Sequence, residues 1–275
     1  MIEKEIDMNT IDATPVIRTS TPEKLSILGA IHDTRILMKR NLRRVIRTPR
    51  LLIFSSIQPI MFFVLFRYVF GGPLKSTGAY VDFLLPGIFV QASLFGGTTA
   101  IALSTDLASG MIDRFKSLPI ARVSVLAGRT LADAIRNIAT LGILTIAGFI
   151  MGFRFHNGFF PIFGAYGLML LFTFAFSWMQ AYIGIISKDP ETAQIASFIP
   201  LFPFIFASTI FQPVANFPSW LQGFAAYQPV GVLATTMRSL TQGGPVWDSA
   251  WKALMWTAIF LIIFIPLSVW KYRKI

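Results

Sequence analysis

The chain has 275 residues, 54% of them hydrophobic and only 13% charged, with 27 phenylalanines and a mean hydropathy of +0.64. An ordinary soluble domain carries about 25% charge, so this balance excludes a water-soluble fold and predicts an all-α polytopic membrane protein. The net charge of +11 is concentrated, with ten of the 24 Lys and Arg residues ahead of Leu51; that placement suits anionic headgroups and argues against nucleic-acid binding.

Residues 1–26 mix Asp, Glu, Thr and Pro without a sustained period and are expected to form a flexible cytoplasmic tail, with no cleavable leader. Over 27–49, Ile27, Ile31, Met38, Leu42, Val45 and Ile46 keep helical spacing while Arg35, Lys39, Arg40, Arg43, Arg44 and Arg47 fill most of the rest. This pattern predicts an amphipathic interfacial helix ended by Pro49. Residues 50–275 are then read as a six-helix transmembrane domain. Leu51 to Phe70 is the first span, twenty residues with one charge, Arg67, enough to cross the hydrocarbon core as a helix. Gln58-Pro59 predicts a kink within it. The second span runs from about Phe83 to Leu103, interrupted by Pro86 and loosened by Gly87, Gly96 and Gly97.

Ser109 to Arg129 is too polar to cross, yet Met111, Ile112, Phe115 and Leu118 share a helical face opposite Asp113, Arg114 and Lys116. A short interfacial helix over about 109–120, stopped by Pro119, is expected. The third span covers about Leu131 to Met151. Its first turns carry Asp133 and Arg136 on one face, with Arg129 one turn earlier. Two readings stay open: these charges snorkel to the headgroups, or they pair inside the protein.

Phe159 to Ile186 is a charge-free fourth span. Asp189 reads as a helix N-cap with Pro190 at the first helical position. A fifth span follows from about Ala193 to Ile210, which Pro200 and Pro203 should break or bend. From 211 to 248 the chain is amphiphilic, and Pro213, Pro218, Trp220, Tyr227 and Pro229 predict short helices resting at the membrane interface. Arg238 argues against a crossing there. The sixth span is about Ala250 to Trp270. With both termini in the cytoplasm, the inner segments hold eighteen Lys and Arg residues and the outer ones five, the bias expected of that orientation.

Catalytic chemistry is scarce. There is no cysteine, no Walker-type phosphate loop and no HExxH pattern, and His32 and His156 stand alone. No metal site, cofactor or enzyme activity is therefore expected of this chain. The features left over are the basic helix before the first span, the stretch SGMIDRFKSLPIARVSVLAGRTLAD from Ser109 to Asp133, and the late blocks SKDPETAQIASFIPLFPFIFASTIFQP and FPSWLQGFAAYQPVGVLATTMRSL. With these, everything after about Ile27 resembles the membrane subunit of an ABC-2 type exporter (a type V exporter), specifically the daunorubicin/doxorubicin-resistance type of permease.

That resemblance implies export of a hydrophobic or amphipathic solute across a bacterial plasma membrane. It implies two copies of a separate ATP-binding subunit, which hold the ATP and Mg, and a second copy of this permease or a related one. The helix between spans 2 and 3 becomes a coupling helix, with Asp113, Arg114, Phe115, Lys116, Leu118 and Pro119 at the ATPase contact. Arg35, Lys39 and Arg43 would flank that contact or face lipid. Spans 2 and 5 would line the path, with Gln91, Thr98, Thr99, Phe198, Phe202 and Phe206 as candidates, and the 211–248 segment would form re-entrant or capping helices outside. Two other readings remain: an ABC-2 exporter of a lipid-linked glycan or polysaccharide, and a non-transport membrane anchor or lipid-modifying protein.

Overall fold

A computed structural model of the chain describes residues 27–47, 49–70, 79–95, 99–111, 122–187 and 189–274. Among these the regular structure is entirely helical. The elements are α1 (Ile27–Arg47), α2 (Pro49–Leu65, continued by a π-helical turn, Phe66–Phe70), α3 (Ala79–Phe95), α4 (Thr99–Ala108), α5 (Arg122–Ile150) and α6 (Phe159–Ile186). They are followed by α7 (Pro190–Phe198), α8 (Leu201–Phe206), α9 (Ser219–Tyr227), α10 (Pro229–Gln242) and α11 (Trp247–Arg273).

Four described stretches are long and apolar enough to cross a membrane: Tyr80–Ala108, Val123–Ile150, Phe159–Ile186 and Trp247–Arg273. The first is 87% buried by the other helices and the last only 17%, so α3 and α4 run through the centre while α11 lies at the rim. The segment expected as the first span contains a shorter apolar helix, Ser56–Val69, with Pro59 inside α2. The segment expected as the fifth span is broken as predicted. Pro200 and Pro203 each remove an N–H donor, and the chain divides there into α7 and α8.

The sequence places the start of the third span too late. Helix α5 begins at Arg122 rather than near Leu131, because its first turns find partners on other helices: Ser124 and Gly128 meet α1, and Leu126 is buried in a cluster with Leu103, Trp178 and Tyr272. Leu37 of α1 is buried, Ser124 donates to the Ala30 carbonyl at 2.8 Å, and a Cβ on Gly128 would stand 2.8 Å from Leu37 Cβ. A basic helix is thereby docked along the first turns of α5 rather than lying free.

Helix α6 is the hub, packing against α4, α5, α10 and α11. Small residues set the closest approaches. A Cβ at Gly184 would lie 2.5 Å from the Ala100 carbonyl oxygen, and one at Gly87 would lie 2.6 Å from that of Ile210. The expectation of helices resting at an interface holds poorly for α10. Val230, Val232, Leu233, Ala234 and Met237 are buried, and α10 packs against α3, α6 and α11. Helix α9, by contrast, keeps Trp220, Phe224 and Tyr227 exposed.

Candidate functional site: a polar seam between two central helices

Arg129, Asp133 and Asn137 recur every four residues along α5 and so form one polar stripe in an otherwise apolar helix. The antiparallel α3–α4 line meets each of them. Arg129 donates to Asp106 Oδ2 at 2.6 Å. Thr99 donates to Asp133 Oδ2, whose other oxygen lies 3.5 Å from Arg136. Asn137 donates from Nδ2 to Ser93 Oγ and to Thr173 Oγ1 of α6, both at 2.7 Å. Three cross-links thus follow one another up the seam.

Of the two readings for Asp133 and Arg136, the structure favours a pair inside the protein. Their side chains are only 12% and 10% exposed, which leaves no route to a headgroup. A carboxylate removed from water is tolerated where a cation and hydroxyl donors hold it. The seam also ends at a defined turn. Helix α4 is closed by Ser109 N–H donating to the Thr105 carbonyl and by Gly110 at a φ of +68°, a left-handed conformation that glycine adopts without strain. Asp106 and Arg129 therefore clamp together the two helix ends that flank residues 111–121.

The expected coupling residues Asp113, Arg114, Phe115, Lys116, Leu118 and Pro119 lie outside the described residues, as does Thr98. Arg35, Lys39 and Arg43 recur every four residues on α1 and are all exposed. Gln91 and Thr99 are buried within the chain; Thr99 belongs to the seam, and neither polar end of Gln91 meets a protein partner. Phe202 and Phe206 are exposed and stack on each other, while Phe198 packs on Phe95 of α3 with ring centres 5.4 Å apart. The phenylalanine stripe therefore survives the helix break, whereas the polar candidates turn inward.

Two functional-site features escaped the sequence reading. Asn137 was detectable, because it continues the spacing of Arg129 and Asp133. Arg238 was not. Counted as an outer charge, it lies partly buried with its guanidinium carbon 3.6 Å from the centre of the Phe83 ring and its donors on three backbone carbonyls.

Residues 32–241 match the family described as ABC-2 type transporter. The chain is 34% identical over 229 residues to a daunorubicin resistance ABC transporter permease of Streptomyces coeruleorubidus, covering 82% of this chain and 81% of that protein. It is 29% identical over 250 residues to a probable doxorubicin resistance ABC transporter permease of Mycobacterium tuberculosis, covering 89% of each. A putative transport permease of Pyropia yezoensis is 27% identical over 209 residues, 73% of this chain and 70% of that protein. With several apolar spans around a sealed polar seam, and a family match over most of its length, this chain belongs to the ABC-2 type transporters as a multi-pass membrane permease.

Proposed function

We propose that the chain is the membrane-spanning subunit of an ATP-driven exporter that carries a hydrophobic or amphipathic, drug-like solute out of a bacterial cytoplasm. The observation that carries this reading is the 34% identity, over most of both chains, with a permease named for daunorubicin resistance. Six crossings are counted by adding α2 and the broken α7–α8 to the four long apolar stretches, which returns both termini to the cytoplasm. ATP is hydrolysed in a separate subunit, two copies of which serve a pair of permeases.

The mechanism is mechanical. The partner's motion enters through residues 109–120, and the Asp106–Arg129 pair holds the flanking ends of α4 and α5 so that they move together. Helix α1, docked on α5 through Leu37, Ser124 and Gly128, travels with them. The solute passes along the exposed Phe202 and Phe206 of α8, beyond the proline break that interrupts the helical bonds between α7 and α8.

Co-expression with an ABC ATPase tests the assignment. The two proteins are expected to co-purify, and vesicles containing both to move doxorubicin only when ATP is supplied. Replacing Phe115 and Leu118 with Asp should abolish co-purification. An intact complex with undiminished transport would remove the coupling assignment.

A further inference from the structure

The backbone between α8 and α9 poses a local problem. Residues 207–213 form no helix, so their carbonyls lack regular N–H partners, yet Ser208, Thr209, Ile210 and Phe211 are buried. Irregular backbone in an apolar bundle persists only where other groups satisfy it. Here the donors come from α3, from α10 and from Gln228, which caps the start of α10. Gln228 Nε2 donates to the Phe204 carbonyl at 2.8 Å, at the end of α8. Arg238 Nη2 donates to the carbonyls of Thr209 at 2.5 Å and Ile210 at 2.9 Å. The Tyr80 hydroxyl donates to the Phe211 carbonyl at 3.3 Å.

Arg238 also fastens this segment to α3, since its Nε donates to the Phe83 carbonyl at 2.8 Å. Gly87, one turn beyond Phe83, leaves room for the Ile210 backbone to lie directly on the helix. The base of the arrangement is firm. The loop before α6 stitches the end of α10, with His156 N–H on the Thr241 carbonyl at 3.0 Å and Asn157 Nδ2 on those of Ser239 and Leu240 at 3.1 and 3.2 Å. Among the side chains that hold this segment, Arg238 is the one that ties it to α3 and α10 at once, beside the Tyr80 and Gln228 bonds and the Thr209 hydroxyl on the Gly231 carbonyl at 3.1 Å.

We infer that Arg238 is a latch, a positioning residue that keeps the 207–211 backbone on α3 in this conformation and releases it when the bundle rearranges during transport. The inference rests on the permease reading above. Its chemistry suits a reversible contact. Among the described residues no carboxylate pairs with Arg238, so its partners are carbonyl dipoles and a ring face. Water can replace these as the segment swings away, without stranding a second buried charge. Pro200 and Pro203 supply the compliance, because α7 and α8 cannot share a continuous hydrogen-bond ladder.

The chain has no cysteine, so Ser208→Cys at a buried position reports on the latch through its reaction with a water-soluble maleimide. The full chain and its ATP-binding partner are used in membrane vesicles. Arg238→Met keeps the length but removes every donor, and is expected to speed labelling about tenfold, the loss of charge-assisted bonds. Unchanged labelling overturns the inference. Trapping the partner in its nucleotide-bound state is expected to speed labelling with Arg238 in place; labelling that stays at the resting rate also overturns it. If Arg238→Met disrupts the whole fold, shown by labelling of Ser177→Cys on α6, Arg238→Lys decides. That variant should label at an intermediate rate, and a rate equal to that of the Arg238 protein overturns the latch. The variant comparison needs neither cargo nor nucleotide, so absent drug efflux with these changes intact counts against the permease reading alone.

Discussion

At the scale of single residues, the seam between α4 and α5 concentrates charge where the medium is least forgiving. Asp106 and Arg129 are 12% and 16% exposed, at 2.6 Å, so solvent screens them little. Asp106→Asn or Arg129→Met should each lower stability by about 1.5–3 kcal/mol, the range for hydrogen bonds to charged groups. Thermal unfolding in detergent measures this. The reciprocal pair Asp106→Arg with Arg129→Asp should recover part of what either reversal loses, and an additive double variant would show that the two do not interact. Asp189 is governed by pH instead. Thr192 donates to it from both backbone N–H and hydroxyl, each at 2.7 Å, and these bonds hold its carboxyl below the usual carboxylate range. A lowered folded-state value means the cap's contribution is present above the ordinary value near 3.8 and is lost as pH falls through the lowered one. Amide exchange in the first turn of α7 should accordingly accelerate under acid, and Asp189→Ala should show that rate already at neutral pH. The cap could be read from Asp-Pro-Glu alone because an N-cap is a local device. Arg238 could not, since its three acceptors arrive from residues 28 to 155 positions away.

At the scale of elements, glycines separate packing from propensity. Gly184 and Gly167 occupy the same helix, α6, but only Gly184 has backbone against it; a Cβ at Gly167 would meet nothing within 4 Å. Gly184→Ala must push α4 away from α6 and should cost about 1–3 kcal/mol by overpacking. Gly167→Ala should gain up to about 1 kcal/mol from helix propensity. Equal effects in thermal unfolding would mean that the α4–α6 contact is not tight. The long helices were readable because their apolar runs are continuous, and α6 matches its predicted bounds of Phe159 and Ile186. The start of α5 was misplaced because Arg122 to Arg129 looks too polar to continue a span. It is partly buried by its tertiary partners, α1 at Ser124 and Gly128, Asp106 of α4 at Arg129, and the cluster around Leu126.

At the scale of the whole molecule, the proposed six-crossing arrangement makes a direct prediction. Because the chain lacks cysteine, single cysteines at exposed Lys39, Asn216 and Arg273 can be labelled one at a time in intact cells. Asn216→Cys should react with an impermeant reagent from outside, and Lys39→Cys and Arg273→Cys only after permeabilisation. Outside labelling of Arg273→Cys would require an odd number of crossings. The exposed aromatic residues Phe202 and Phe206 and the rim helix α11 give this molecule a large apolar surface, as expected of a chain whose solvent is lipid.

The sequence by itself determined the membrane class, the long spans, the proline break after Phe198, the cap at Asp189 and the family resemblance. All of these rest on composition or on residues close together in the chain. Tertiary structure alone decided which way each polar side chain faces. It turned Asp133 and Arg136 into the seam, drew α10 into the bundle and set Arg238 on the carbonyls of a distant broken segment. The physical reason is that a buried polar group is defined by its partners, and in this protein those partners lie on other helices.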